Sequence, residues 1–307
     1  MMKFKIQLIS LFVSVLLMSC STDIYDEIQT DKADVTFRVS LNTQTRAPQD
    51  IDFTSYNVKV YTFAEMSENT GRFLFSSEQE ITNSIFTIED LDPTLQYRFV
   101  FLALPKNQTP VLPSYKNEVS APFYEDAIYA YISGNQTGNE VFRNILTLTP
   151  TTDSESGNNH SIVLTRQNGA LQIRLSNSSG ELSNVKLEVE GMSEMYLHDG
   201  TGGKVVSTGS AVQLSKKEVP AAVNDYRISV NLLPAEDVTG KGKLTLTYKN
   251  GSTKVYTLSS TQGSIPIYPN QITWLTLNGT GGDGDGNFSV HFGPEVNLDD
   301  DDWDGIQ

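Results

Sequence analysis

The chain has 307 residues, with 37 acidic against 22 basic side chains and a formal net charge of −15. An acidic excess of this size repels phosphate backbones and anionic headgroups, so it excludes nucleic acid as a partner and a basic patch as a means of membrane attachment. There is one cysteine. No disulfide can form within the chain, and the fold has to be held by its apolar core.

Lys3 and Lys5 precede a nearly unbroken apolar run from Ile6 to Met18, and the chain turns polar at Ser19. That run is shorter than the ~20 residues a spanning helix needs, so it reads as a signal peptide over residues 1–19. Leu17-Met18-Ser19-Cys20 resembles the lipobox of bacterial lipoproteins. A small residue at Ser19 lets a peptidase approach, and Cys20 offers the chain's single thiol for thioether attachment of diacylglycerol. Several acyl chains on one cysteine suffice for stable anchoring. Losing the leader removes two lysines and leaves the mature chain more acidic still. Residues 20–32 form a polar, acidic tether, similar to those of surface-exposed lipoproteins in the Bacteroides group.

From residue 33 onward the periodicity is that of β-structure. Val35, Phe37, Val39 and Leu41 alternate with polar residues, the pattern of a half-buried strand. Val58 to Phe63 and Tyr97 to Leu104 are apolar on both phases and predict central strands covered on both sides. Phe123 to Ile132 is the one helical candidate, with Phe123, Ala127, Ile128 and Tyr131 able to share a face. The polar run 150–159 is a loop, followed by a strand from Ser161 to Arg166. Alternation returns at Leu171, Ile173 and Leu175, at Val185, Leu187 and Val189, at Ile228, Val230 and Leu232, and at Phe288, Val290 and Phe292. Turns fall at Asn69-Thr70-Gly71 and at Asp199 to Gly203. Leu244 to Leu258, broken by Asn250-Gly251, predicts a tight hairpin with positive φ at the turn.

The expected fold is therefore all-β, two tandem β-sandwich domains after a lipoprotein signal peptide. The expected boundaries are 33–160 for the first domain, 161–296 for the second and 297–307 for an acidic tail. A glycine-rich linker at 279–286 precedes the last strand.

Little here points to catalysis. His160 in a polar loop, His198 beside a turn and His291 on an outward strand phase are far apart, and a surface position accounts for all three. No metal-ligand pair, nucleophile elbow or phosphate-binding glycine loop is present, so no enzyme activity, cofactor or metal is expected. Asp283, Asp285 and Asn287 have the first oxygen ligands of a calcium loop. An EF-hand needs Gly at position 6 and Glu at position 12, where Phe288 and Pro294 stand, so a flexible acidic linker is the favoured reading over a weak calcium site. Trp303 in the acidic tail is placed to pack on the second domain or on a partner.

Arg46-Ala47, just after the first strand, is a trypsin-like cleavage position. If it is cut, the strand from Val35 to Leu41, read as an edge strand, can leave and expose an apolar groove and unpaired backbone, which a strand of another subunit can fill. If it is not cut, Arg46 is a surface loop arginine. Both readings stand on the residues alone.

Taken in order, the lipobox at Cys20, the strand from Ala33 to Leu41, the strands from Val58 to Phe63 and from Tyr97 to Ala103, and Ile162-Val163-Leu164-Thr165-Arg166 leading into Ala170 to Leu175 resemble the fimbrial anchor and minor fimbrillin lipoproteins of Bacteroidales, the type V pilus subunits. The resemblance implies transthyretin-like sandwich domains, export to the outer membrane, assembly by donor-strand exchange and a major pilin as partner. It also implies that Arg46-Ala47 sits where related stalk subunits are cut by an arginine-specific protease, whereas anchors retain a lipidated N-terminus. The alternative is a surface glycan-binding lipoprotein of a polysaccharide-uptake system, which needs an exposed aromatic platform. Trp274 and Trp303 are the tryptophans available, and Trp274 reads as core. A hydrolase on a β-sandwich is a third reading, with no positive feature in its favour.

Overall fold

The computed structural model describes residues 31–42, 49–66, 71–106, 123–130, 140–152, 157–175, 182–192, 194–199, 205–208, 213–220, 226–260, 263–277 and 288–292. In chain order the strands are β1 Ala33–Asn42, β2 Gln49–Asp50, β3 Tyr56–Glu65, β4 Phe73–Ile81, β5 Ile85–Leu91, β6 Tyr97–Pro105, β7 Ile128–Ala130, β8 Phe142–Leu148 and β9 Asn159–Arg166. They continue with β10 Gly169–Leu175, β11 Leu182–Gly191, β12 Glu194–Asp199, β13 Val205–Thr208, β14 Gln213–Pro220, β15 Tyr226–Leu232, β16 Gly242–Tyr248, β17 Thr253–Thr257, β18 Ile272–Leu277 and β19 Phe288–Phe292. The all-β reading holds, and the alternating runs of the sequence fall in these strands.

The first sheet runs β2-β1-β9-β8-β6-β3-β4, with β5 also on β1. β8 and β9 meet at only two pairs, Phe142 with Arg166 and Arg143 with Thr165, so the path turns there and folds the sheet into two layers. Val35, Phe37, Val39, Ile88, Ile162 and Leu164 from one layer close on Val58, Val60, Phe99, Phe101 and Ala103 from the other. Further along the chain, β15-β10-β18-β19 and β14-β11-β16-β17 form a second sandwich. Its core joins Leu171, Ile173, Ile228, Val230 and Leu275 to Val185, Leu187, Val189, Leu244 and Leu246. The two-residue side-chain period of a strand makes both cores from simple alternation.

β3 and β6 are covered on both faces, as their continuous apolar runs require. One phase, Val58, Val60, Phe99 and Phe101, faces the first core. The other, Tyr61, Phe63, Val100, Leu102 and Leu104, packs with Met195, Leu197 and Leu233 from the second half of the chain. The cover includes a small sheet, β13-β12-β7.

Two local expectations change. The predicted helix at Phe123 to Ile132 is instead one 3₁₀ turn, Tyr124–Asp126, followed by β7. There β7 pairs with β12, and Leu197 N donates to Ala127 O at 2.9 Å, so long-range pairing overrides a helical spacing of apolar residues. The Asn250-Gly251 hairpin forms, with Thr247 paired to Thr253, but only Gly251 has positive φ, at 84°. It is a three-residue loop with glycine at the bulge rather than a two-residue turn. Asn250 contributes through its side chain, whose Oδ1 accepts from Ser252 N at 2.9 Å and Oγ at 2.7 Å.

Candidate functional site: the seat of the first strand

β1 is the element on which the functional reading turns. Ala33, Val35, Phe37, Val39 and Leu41 are all buried, the middle three completely. Phe37 sits at the centre of an aromatic cluster, with ring centroids 5.4 Å from Phe86 and 5.1 Å from both Phe99 and Phe101. Each such side chain contributes about 1.5–3 kcal/mol on burial. The strand as a whole is therefore worth on the order of 10 kcal/mol, comparable with the net stability of an entire domain.

The sequence suggested that loss of β1 would remove an edge strand. The structure corrects this: β1 is interior. On one side it runs parallel to β9 from Thr36 opposite Asn159 to Asn42 opposite Thr165. On the other it is antiparallel to β5, and near its end to β2, where Leu41 meets Gln49. β9 is thus part of the first sheet. The β1–β5 ladder is irregular between Ala33 and Val35. There Asp90 takes φ 62° and its N–H donates to the Asp34 carboxylate at 3.2 Å, the kind of bulge position an aspartate tolerates.

Cys20, the calcium candidate Asp283 to Asn287, and Trp303 lie outside the described residues. So do Arg46 and Ala47, which fall in the connection between β1 and β2. His160 is not in a surface loop. It occupies the inward phase of β9, opposite Phe37 in the register and 6.0 Å from its ring, with Nε2 buried. His198 is half-buried, its ring 4.7 Å from that of Tyr196. His291 is the register partner of Trp274 in the pairing of β18 with β19. Trp274 is likewise not core: it packs with Ala170 and Ile272 on the outer face of its sheet, and the Arg174 guanidinium lies 4.5 Å from its ring centroid. Among the described residues no group of three His, Cys, Asp or Glu side chains is placed to hold a metal ion. No helix among them is long and apolar enough to cross a membrane.

Two features beside the seat tie the halves of the chain together, and neither was singled out from sequence. The first is the connection after β9. Gln167 N donates to Val141 O at 2.7 Å, Asn168 Oδ1 accepts from Val141 N at 3.0 Å, and Asn168 O accepts from Asn270 N at 3.0 Å. A Cβ on Gly169 would lie 2.2 Å from Tyr268 O and 2.9 Å from an Ile267 methyl. Gly169→Ala is expected to cost about 1–3 kcal/mol, seen as a lower midpoint in urea unfolding; an unchanged midpoint would mean the 268–271 loop yields freely.

The second is Arg143 on β8, which is 3% exposed. Its Nη1 donates to the carbonyls of Tyr196, Leu197 and His198 at 3.0, 2.9 and 3.2 Å, and its Nη2 to the Asp199 carboxylate. The sequence signal was an arginine between Val141 and Ile145 on one strand phase, both of which pack in this interface. Beside it Tyr124 is buried against Phe63, and burial pushes its phenol up to about 12. A raised acid binds its proton more tightly when folded, so stability is constant below the unfolded value of 10 and falls as pH rises from there to about 12. Unfolding midpoints taken across that range should fall, and should fall less in Tyr124→Phe.

The two packed pairs of sheets define a protein of the β-sandwich class. The match to a family model fixes which: residues 27–297 fit the family described as fimbrillin-A associated anchor proteins Mfa1 and Mfa2. The chain belongs to that family and is a structural fimbrial protein. None of the curated proteins matches it at the sequence level. Among solved structures it is similar to a proposed cell adhesion protein from Bacteroides uniformis, at 14% identity over 86% of this chain and 98% of that one, with a TM-score of 0.48. It is also similar to the tip fimbrial protein Mfa3 from Porphyromonas gingivalis, at 14% identity over 85% and 98% of the two chains, with a TM-score of 0.43. A proposed polysaccharide-binding protein from Bacteroides thetaiotaomicron gives 14% identity, 86% and 99% coverage and a TM-score of 0.45.

Proposed function

We propose that this protein is the lipid-anchored subunit that fixes a fimbrium to the outer membrane, held through diacylglycerol on Cys20 and joined to a major pilin by exchange of β-strands. The observation that carries the reading is the placement of β1. It follows the tether directly, lies inside the first sandwich with neighbours on both sides, and accounts for much of that sandwich's stability. A retained β1 closes this seat and leaves the subunit to end the fibre rather than extend it. A cut at Arg46-Ala47 would open the seat to a strand from another subunit. On this reading the chain divides into two structural units at Gln167–Gly169, since β9 pairs within the first sheet. Trp274, half-buried beneath Arg174, gives the glycan-binding alternative no open platform.

The deciding measurement is the intact mass of the protein taken from the outer membrane of its host. A lipidated Cys20 with residues 21–46 attached is the expected result. An N-terminus at Ala47 would overturn the anchor assignment and make the protein a polymerising or tip subunit.

A further inference from the structure

We infer that the ladder between β1 and β9 is a force-bearing clamp, through which tension between the membrane-side end of the chain and its second half passes in shear. This rests on the reading that the N-terminus is retained and tethered. The chain enters β1 at Ala33 and leaves β9 at Arg166, and the two strands are parallel over seven consecutive partner positions. In a parallel pair those two points lie at opposite ends. Tension applied to them drives the strands past one another along their axes, so the bonds of the ladder must fail together. An antiparallel pair loaded at adjacent ends would open one bond at a time.

The side chains oppose the same slip. Val35, Phe37, Val39 and Leu41 are seated in the core, and a slide of one residue turns every one of them to the wrong face. A slide of two brings a valine to the place of Phe37, whose ring is held by Phe86, Phe99 and Phe101. The far end of the ladder is fastened as well. Gln167 and Asn168 are bonded to Val141, and Asn168 to Asn270, so tension leaving β9 enters a buried, hydrogen-bonded connection. On the other flank β5 is paired to β1 from Ala33 to Arg38 and shares the load along the strand.

The test is single-molecule pulling of the unlipidated mature chain, with one handle on the Cys20 thiol and the other at the C-terminus. It is compared with Cys20→Ser/Asp50→Cys, in which the handle enters after β1 and tension bypasses the ladder. The event whose length gain matches the first half should need at least about twofold more force from Cys20, because bonds sharing a load resist more than bonds broken in turn. Phe37→Leu, which keeps the core apolar, should lower the force in the first geometry only. Equal forces in the two geometries, or a Phe37→Leu effect common to both, would overturn the clamp. An N-terminus at Ala47 in the host would undo the anchor reading and leave these forces unchanged, so the two failures are distinguishable.

Discussion

A mature chain that begins at Ala47, and so lacks β1, is expected to lose the folded first sandwich and to regain it when a peptide spanning Ala33–Asn42 is added in trans. The magnitude follows from burial. Val35, Phe37 and Val39 are 0% exposed and Leu41 is 4% exposed. Removing them forfeits on the order of 10 kcal/mol, which is as much as a domain has. The backbone loss adds to it, because β9 loses its parallel neighbour and β5 its antiparallel one. Amide exchange in β5 and β9 is the readout: fast in the trimmed chain and slow again with peptide. A peptide carrying Phe37→Asp should not restore protection, since it would place a charge in the aromatic cluster. Full protection in the trimmed chain without peptide would show that β1 is dispensable, and with it the strand-exchange proposal would fall.

Arg143→Met should lower stability by about 2–4 kcal/mol, because three backbone carbonyls, with the bond to Leu197 buried and those to Tyr196 and His198 partly so, lose the donor that Nη1 supplies. Methionine keeps most of the volume, so the loss reports on polar contacts rather than on a cavity. Asp199→Asn is the contrast. Its side chain is 41% exposed, and an ion pair open to solvent contributes about 0–1 kcal/mol. The pair of substitutions thus separates the buried carbonyl contacts from the charge contact on the same guanidinium. Denaturant unfolding gives the magnitudes, and amide exchange in β12 locates them. If Asp199→Asn costs as much as Arg143→Met, the ion pair and not the carbonyl contacts carries the junction.

Most of the fold was legible because strands announce themselves by simple rules. Two-residue alternation gave β1, β10, β11, β15 and β19, and continuous apolar runs gave β3 and β6 as strands covered on both faces. What was not legible depended on partners distant in sequence. The helical spacing at Phe123 to Ile132 was real, but β12 claims that segment by pairing with β7. His160 follows a polar run and so read as surface, yet β9 starts one residue earlier and turns its ring toward Phe37. Trp274 read as core because it is apolar and in a strand, whereas Leu275 and Leu277 hold the core phase and leave it outside. The seat of β1 was half legible. Its burial followed from pattern, but its interior place required β9, and no local feature of either strand reveals that pairing.

The register of β1 also sets an order of events in time. Ser40 and Ile162 touch across 122 positions of sequence, so β1 has no parallel neighbour until β9 has followed it from the ribosome. The entropy of closing so long a loop precedes any gain from the ladder, which makes this pairing a slow, late step of folding. Until then an alternating apolar strand stands unpaired, and aggregation competes with folding. A holdase acting on this chain would therefore be needed most in the interval between the emergence of Ala33 and that of Arg166.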